Sequence, residues 1–175
     1  MPLAEEIAVK NSPLPESDAH MQDFKWFIGE WDVQSRMLMD AEKDEWLEES
    51  LTTIHTYEMN GHIIFEHFFG PIAGKPFEGW SLRKYNSSTE RWQQKWMDSS
   101  APMILDWGGT FNESGEYVGF SEMYLTDTFE IAGEKAARET FFNITDDHFS
   151  WRYERTGDGG KTWQITWTLE YNRRK

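Results

Sequence analysis

The sequence predicts an all-β protein: an antiparallel, up-and-down β-barrel of about ten strands preceded by one short N-terminal helix. Three observations carry this expectation. Aromatic residues make up 16% of the chain, with 10 Trp, 12 Phe and 6 Tyr, and such side chains favour strands and fill a wide interior with few residues. Turn chemistry recurs every 8–12 residues or roughly so, the spacing of a sandwich or barrel. The predicted connections are short, and closing an up-and-down sheet on itself leaves no exposed edge.

The elements follow in order. Residues 1–20 hold three of the six prolines with polar and acidic side chains, which predicts a flexible arm before a barrel domain over 21–175. Ser17 or Asp18 can cap a short helix whose apolar side is Met21, Phe24 and Phe27 and which ends at Gly29. After Gly29 the period becomes two: Trp31, Val33 and Ser35 alternate with Asp32, Gln34 and Arg36. Asn60-Gly61 between Leu51–Met59 and His62–Phe69 is a strong hairpin signal. Gly70-Pro71 to Gly74-Lys75-Pro76, Asn86-Ser87-Ser88, Ser99 to Pro102, and Asn112 to Gly115 punctuate the strands that follow. Asp127 to Glu134 is a longer connection, followed by strand Arg138–Ile144, the turn Thr145-Asp146-Asp147, and strands His148–Arg155 and Thr162–Asn172.

The last hairpin contains Thr156-Gly157-Asp158-Gly159-Gly160-Lys161-Thr162-Trp163, which resembles the Asp-box of sialidases. A propeller of that kind repeats the motif on blades of about 40–50 residues. One copy in 175 residues leaves no room for it. Flanked by two alternating strands, Asp158 is placed to accept backbone N–H groups within its own turn. Gly159 and Gly160 are expected at positive φ, with Trp163 covering the loop. The motif reads as a turn.

Charge and composition narrow the function. With 31 acidic and 17 basic residues the formal net charge is −14. That lacks the basic footprint of a nucleic-acid binder and is repelled by an anionic membrane surface. No cysteine is present, so thiol chemistry and Cys-based metal sites drop out. The N-terminal stretch has no signal-peptide pattern and no apolar run approaches a membrane span. The expected location is cytoplasmic, with a small hydrophobic or aromatic molecule as partner.

Gly29-Glu30-Trp31 at the start of the first strand resembles the G-x-W signature of lipocalins and other calycins. In those proteins the Trp plugs the closed end of the barrel under a basic residue from the last strand. The resemblance implies that role for Arg173 or Arg174. More broadly the chain, over about 21–175, resembles the lipocalin-like DUF1579 family. The resemblance rests on F-I-G-E-W-D-V, on G-W-S-L-R-K-Y-N with R-W-Q-Q-K-W-M-D-S-S, on Trp107-Gly108-Gly109-Thr110 and on the closing D-G-G-K-T-W hairpin. It implies a fold and brings no activity or catalytic residues.

Candidate site residues come from parity, since polar groups sharing a face with the apolar set should point into the lumen. Phe149, Trp151 and Tyr153 are expected inside, as are Trp163, Ile165, Trp167 and Leu169. Phe142 and Ile144 by the same test bring Arg138 and Thr140 inward. An internal arginine needs a carboxylate or an anionic ligand, and Asp106 is the expected partner; the bland alternative is a rim arginine reaching water. His67 is placed inward with Phe65 and Phe69, facing His55 and Tyr57, a group with acid–base capacity. Core histidines satisfied by backbone or water are the plainer reading. No three side chains converge at strand spacing for a metal, none of the five histidines is marked out for haem, and no cofactor is assigned.

The sequence therefore predicts a lumen that binds a small apolar or aromatic molecule, with Arg138, Trp151, Trp167, Phe142, Tyr153, His67 and Asp106 as its contacts. The alternative is a cofactor-independent isomerase, cyclase or hydratase using His67, Tyr57 and His55 in the same cavity. A homodimer through an outer sheet face is the third reading.

Overall fold

The computed structural model describes residues 18–175. Of the arm expected over residues 1–20, residues 1–17, with Ser17 as a cap, lie outside the described residues, while Ala19 and His20 belong to the helix. Ten antiparallel strands form a closed barrel: β1 (Gly29–Asp40), β2 (Glu45–Glu58), β3 (Ile63–Ile72), β4 (Lys75–Asn86), β5 (Arg91–Asp98), β6 (Leu105–Phe111), β7 (Tyr117–Ser121), β8 (Ala136–Phe142), β9 (His148–Thr156) and β10 (Gln164–Arg173). Each strand pairs with its sequence neighbours, and β10 returns to β1, so the sheet keeps no edge.

The expected helix exists, as a 3-10 helix over Ala19–Phe27 with Asp18 as its N-cap, the Asp18 side chain accepting from the His20 amide. Its buried side chains are Met21, Phe24 and Phe27. Together they stopper one end of the barrel. Phe24 meets Trp92, Phe111, Tyr117 and Phe141 in edge-on contacts at 4.7 to 6.3 Å between ring centres. Burying each of these phenyl groups contributes about 1.5–3 kcal/mol.

Trp31 is fully buried beside the stopper and donates to the Phe27 carbonyl at 2.9 Å. Arg173 supplies the lid: its guanidinium lies 4.0 Å over the Trp31 ring and donates to the carbonyls of Ile28 and Trp26 at 2.7 and 2.8 Å. Gly29 must be glycine here, because a Cβ would lie 2.3 Å from Arg173 Nη1 and φ is +136°. Arg174 instead pairs with Asp32 on the surface.

The turns obey their chemistry. Met59, Asn60 and Gly61 all take positive φ between β2 and β3. Pro71 and Pro76, by contrast, do not break the next hairpin: they face each other in register and the turn is Ala73-Gly74. In the closing hairpin Asp158 accepts from the Lys161 and Thr162 amides and the Thr162 and Thr156 hydroxyls. Those donors hold its carboxyl well below the usual range. Gly159 and Gly160 have φ of +73° and +86°, and Trp163 donates to the Gly160 carbonyl.

Parity fails on three strands, each for a physical reason. On β3 the inward residues are Ile64, Glu66 and Phe68, because the outer face also carries aromatics: Phe65 packs edge-on with Trp80. On β8 the inward set is Ala137, Glu139 and Phe141, which turns Arg138, Thr140 and Phe142 outward. On β10 the register to β9 shifts between Ile165 and Trp167. That bulge leaves Ile165 exposed while Thr166 and Trp167 both reach the lumen.

Candidate functional site

Above the helix stopper the barrel encloses a cavity of about 540 Å³ that opens at the far end. Its walls are aromatic: Trp96, Trp107, Trp151, Tyr153, Trp167 and Phe68. Trp151 and Trp167 stand edge-on at 5.5 Å, and Trp151 lies nearly parallel to Tyr153. Cross-strand alternation aligns them, since Trp151 sits opposite Phe141 and Leu169, and Tyr153 opposite Glu139 and Trp167.

The inner end is polar. Arg83 of β4, only 2% exposed, lies over the rings of Phe141, Phe27 and Phe24 at 4.9, 5.0 and 5.7 Å. Its Nη2 is 3.5 Å from Glu66 and its Nη1 3.9 Å from Glu139. Glu66 accepts from Ser81 at 2.6 Å and lies 3.5 Å from His55 Nε2. Burial acts to raise the Glu66 pKa, but His55, Arg83 and Ser81 outweigh it and the carboxyl stays ionised below the ordinary range. Burial lowers the His55 pKa from its ordinary value against the pull of Glu66. Glu139 goes the other way: burial raises it, with Arg83 and the Trp151 indole opposing. Trp151 Nε1 donates to Glu139 at 2.9 Å.

Of the residues expected in the lumen, Trp151, Trp167 and Tyr153 line it. Arg138 does not: it points outward, bidentate on Glu154 at 2.8 and 3.1 Å and under the Trp163 ring. Phe142 is beside it on the outside, against Arg152. Asp106 is exposed and pairs with Lys95, not with Arg138. His67 is also on the outer face, 2.8 Å from Glu78 and edge-on to Trp80.

His55 and Tyr57 do face inward, but their polar atoms serve the stopper. His55 Nδ1 donates to the Phe27 carbonyl at 2.7 Å, and the Tyr57 hydroxyl to the Met21 carbonyl at 2.9 Å. Burial pushes the Tyr57 hydroxyl up to about 12. With the barrel wall between His67 and Tyr57, the two do not meet as an acid–base pair. Among the described residues no three His, Asp or Glu side chains are grouped to hold a metal ion.

Sequence reasoning missed Arg83, Glu66, Glu139 and Gln94. The available signal was a single charge set among small or apolar neighbours of one parity: Glu66 between Ile64 and Phe68, Glu139 between Ala137 and Phe141.

Known proteins place this architecture. A family model described as a protein of unknown function, DUF1579, matches residues 16–173. The chain belongs to the DUF1579 family. No curated protein matches it. Among solved structures, the S-type phycobiliprotein lyase CPES from Guillardia theta shares the fold, with a TM-score of 0.57 and 16% identity over 88% of this chain and 92% of that one. At that identity the likeness carries the barrel alone. Among the described residues no helix is long and apolar enough to cross a membrane.

Proposed function

We propose that this DUF1579 barrel binds one small molecule with a flat, largely apolar or aromatic body in its lumen. The observation that carries the reading is the aromatic-walled cavity of about 540 Å³, within the range of about 300–1,000 Å³ that small-molecule sites occupy. A core that only needed filling would close this space, since interiors pack to crystal density. Instead Trp96, Trp107, Trp151 and Trp167 line it, offering flat faces at little entropic cost.

The test is native mass spectrometry of gently purified protein set against its denatured mass, followed by titration of the emptied barrel with the released compound. A reproducible added mass, lost when Trp151→Arg projects a charged chain into the lumen, supports the reading. A bare native mass, together with no quenching of tryptophan emission by small aromatic compounds, overturns it.

A further inference from the structure

At the open end of the lumen one cation stands without a carboxylate. Arg155, next to last on β9, shares the inward parity of Trp151 and Tyr153, lines the cavity and is exposed to solvent. Its Nε donates to the Tyr153 hydroxyl at 3.3 Å, and its guanidinium carbon lies 5.3 Å from the centre of that ring. Nη1 and Nη2 meet no acceptor among the described residues. Apart from Arg91, which lies over the Phe129 ring, every other arginine has a carboxylate oxygen within 3.9 Å. In a chain with 31 acidic and 17 basic residues, an arginine left unpaired at the mouth of a cavity is open to an anion from outside.

Its neighbours extend the polar patch. Gln164 of β10 is the register partner of Arg155, and the β10 bulge turns Thr166 into the same stretch of wall. Neither the Gln164 amide nor the Thr166 hydroxyl has a hydrogen-bond partner among the described residues. Asp98, the carboxylate at this mouth, is occupied within its own turn. It accepts from the Trp96 indole, the Ser100 hydroxyl and the Ser100 and Ala101 amides.

We propose that Arg155 binds the carboxylate of a planar monoanionic acid whose apolar body fills the lumen, with Gln164 and Thr166 as flanking donors. This rests on the lumen-binding reading above and adds the ligand's charged end and its direction of entry. The edge of the guanidinium that carries Nη1 and Nη2 is a fork matched to two carboxylate oxygens. One unpaired guanidinium balances one negative charge, whereas a dianion would add repulsion to a chain already at −14. An acid at the inner end would lie beside ionised Glu66 and compete for its counter-ion Arg83. The apolar body therefore enters first and the acid stays at the mouth. Trp151 precedes Arg155 by four residues on β9, about 13 Å along the strand at about 3.3 Å per residue, which suits a body a few fused rings long.

The test uses three fluorescent probes with the full chain: pyrenebutyrate, a carboxylate; pyrenebutanamide, its neutral isostere; and pyrenebutylamine, a cation. We expect the carboxylate to bind about three- to tenfold more tightly than the amide, a preference that shrinks as salt is raised. Arg155→Met, at an exposed position, should keep the fold and erase that preference while leaving the amide's affinity within about threefold. Arg155→Glu should transfer the preference to the amine.

Equal binding of carboxylate and amide by the native protein overturns the mouth subsite and leaves lumen binding standing. So does a carboxylate preference that survives in Arg155→Met. Tightest binding of the amine by the native protein overturns it too, since the acidic surface then governs the mouth. Binding of none of the three overturns the subsite and the lumen reading together.

Discussion

At Arg83 a guanidinium rests on three rings and looks toward two carboxyl groups at 3.5 and 3.9 Å, both beyond hydrogen-bond length. A buried pair of this kind adds little net stability, yet removing one member strands the other. Arg83→Met alone should therefore cost about 3–5 kcal/mol, because Glu66 stays buried and ionised. The double variant Glu66→Gln/Arg83→Met should recover most of that loss. Equilibrium denaturation of wild type and the variants gives the coupling, and equal losses in single and double would dismiss it. Arg173 works differently, since it stacks over Trp31 and caps two chain carbonyls. Arg173→Ala should cost about 2–3 kcal/mol, whereas Arg174→Ala, an exposed pair with Asp32, should change stability by less than about 1 kcal/mol. Similar losses for the two arginines would mean that the Trp31 lid is not what holds that end.

Among the elements, the stopper helix is the piece the barrel cannot lose without opening. Phe24 is wholly buried at its centre, and Phe24→Ala should cost about 3–5 kcal/mol. Because Phe24 also underlies Arg83, the variant should make the inner lumen accessible to small fluorophores, seen as new binding that wild type lacks from that end. Loss of stability without new accessibility would place the helix outside the lumen floor. The closing hairpin is a separate unit: Asp158→Ala, stripped of four acceptor bonds, should lower Tm while leaving lumen binding unchanged. How much of this was legible depends on what each strand shows to water. Strands with polar outer residues, such as Trp31-Val33-Ser35 against Asp32-Gln34-Arg36, read correctly from alternation. On β3 the outer face carries Phe65, His67 and Phe69 while the inner one holds Glu66, so apolar content points to the wrong side and takes His67 with it. On β8 the sequence places Phe142 and Ile144 inward and Arg138 with them, whereas of the two consecutive phenylalanines Phe141 is the inward one. The β10 bulge adds one residue that no periodicity announces. The site itself was hidden for the same reason, since its charges occupy positions that pattern-reading reserves for apolar side chains.

Over the whole molecule, pH resolves the buried groups from the acidic surface. Glu139 faces Arg83 from β4, Glu66 from β3 and Tyr117 from β7, with Trp151 and Arg155 on its neighbouring strand β9. Its folded pKa is raised above the ordinary 4.5, so its contribution is fully present below that value and is lost as pH rises through the folded pKa. Glu66 has the opposite sign: held below 4.5, it contributes above that value and the contribution is lost as pH falls through its lowered pKa. His55, lowered from 6.5, loses its share as pH falls below 6.5. Stability should therefore decline on the acid side through His55 and then Glu66, and on the alkaline side through Glu139. A net charge of −14 also loosens the fold as pH rises, but that repulsion is nearly common to wild type and Glu139→Gln. The Tm difference between them isolates the buried carboxyl. It should move in favour of Glu139→Gln as pH increases from 4.5 and then level off above the raised pKa, and it should persist in high salt, which screens exposed charges far more than buried ones. A difference that is flat with pH, or that vanishes on adding salt, would mean that Glu139 titrates as a solvated carboxylate and that the inner lumen is wet.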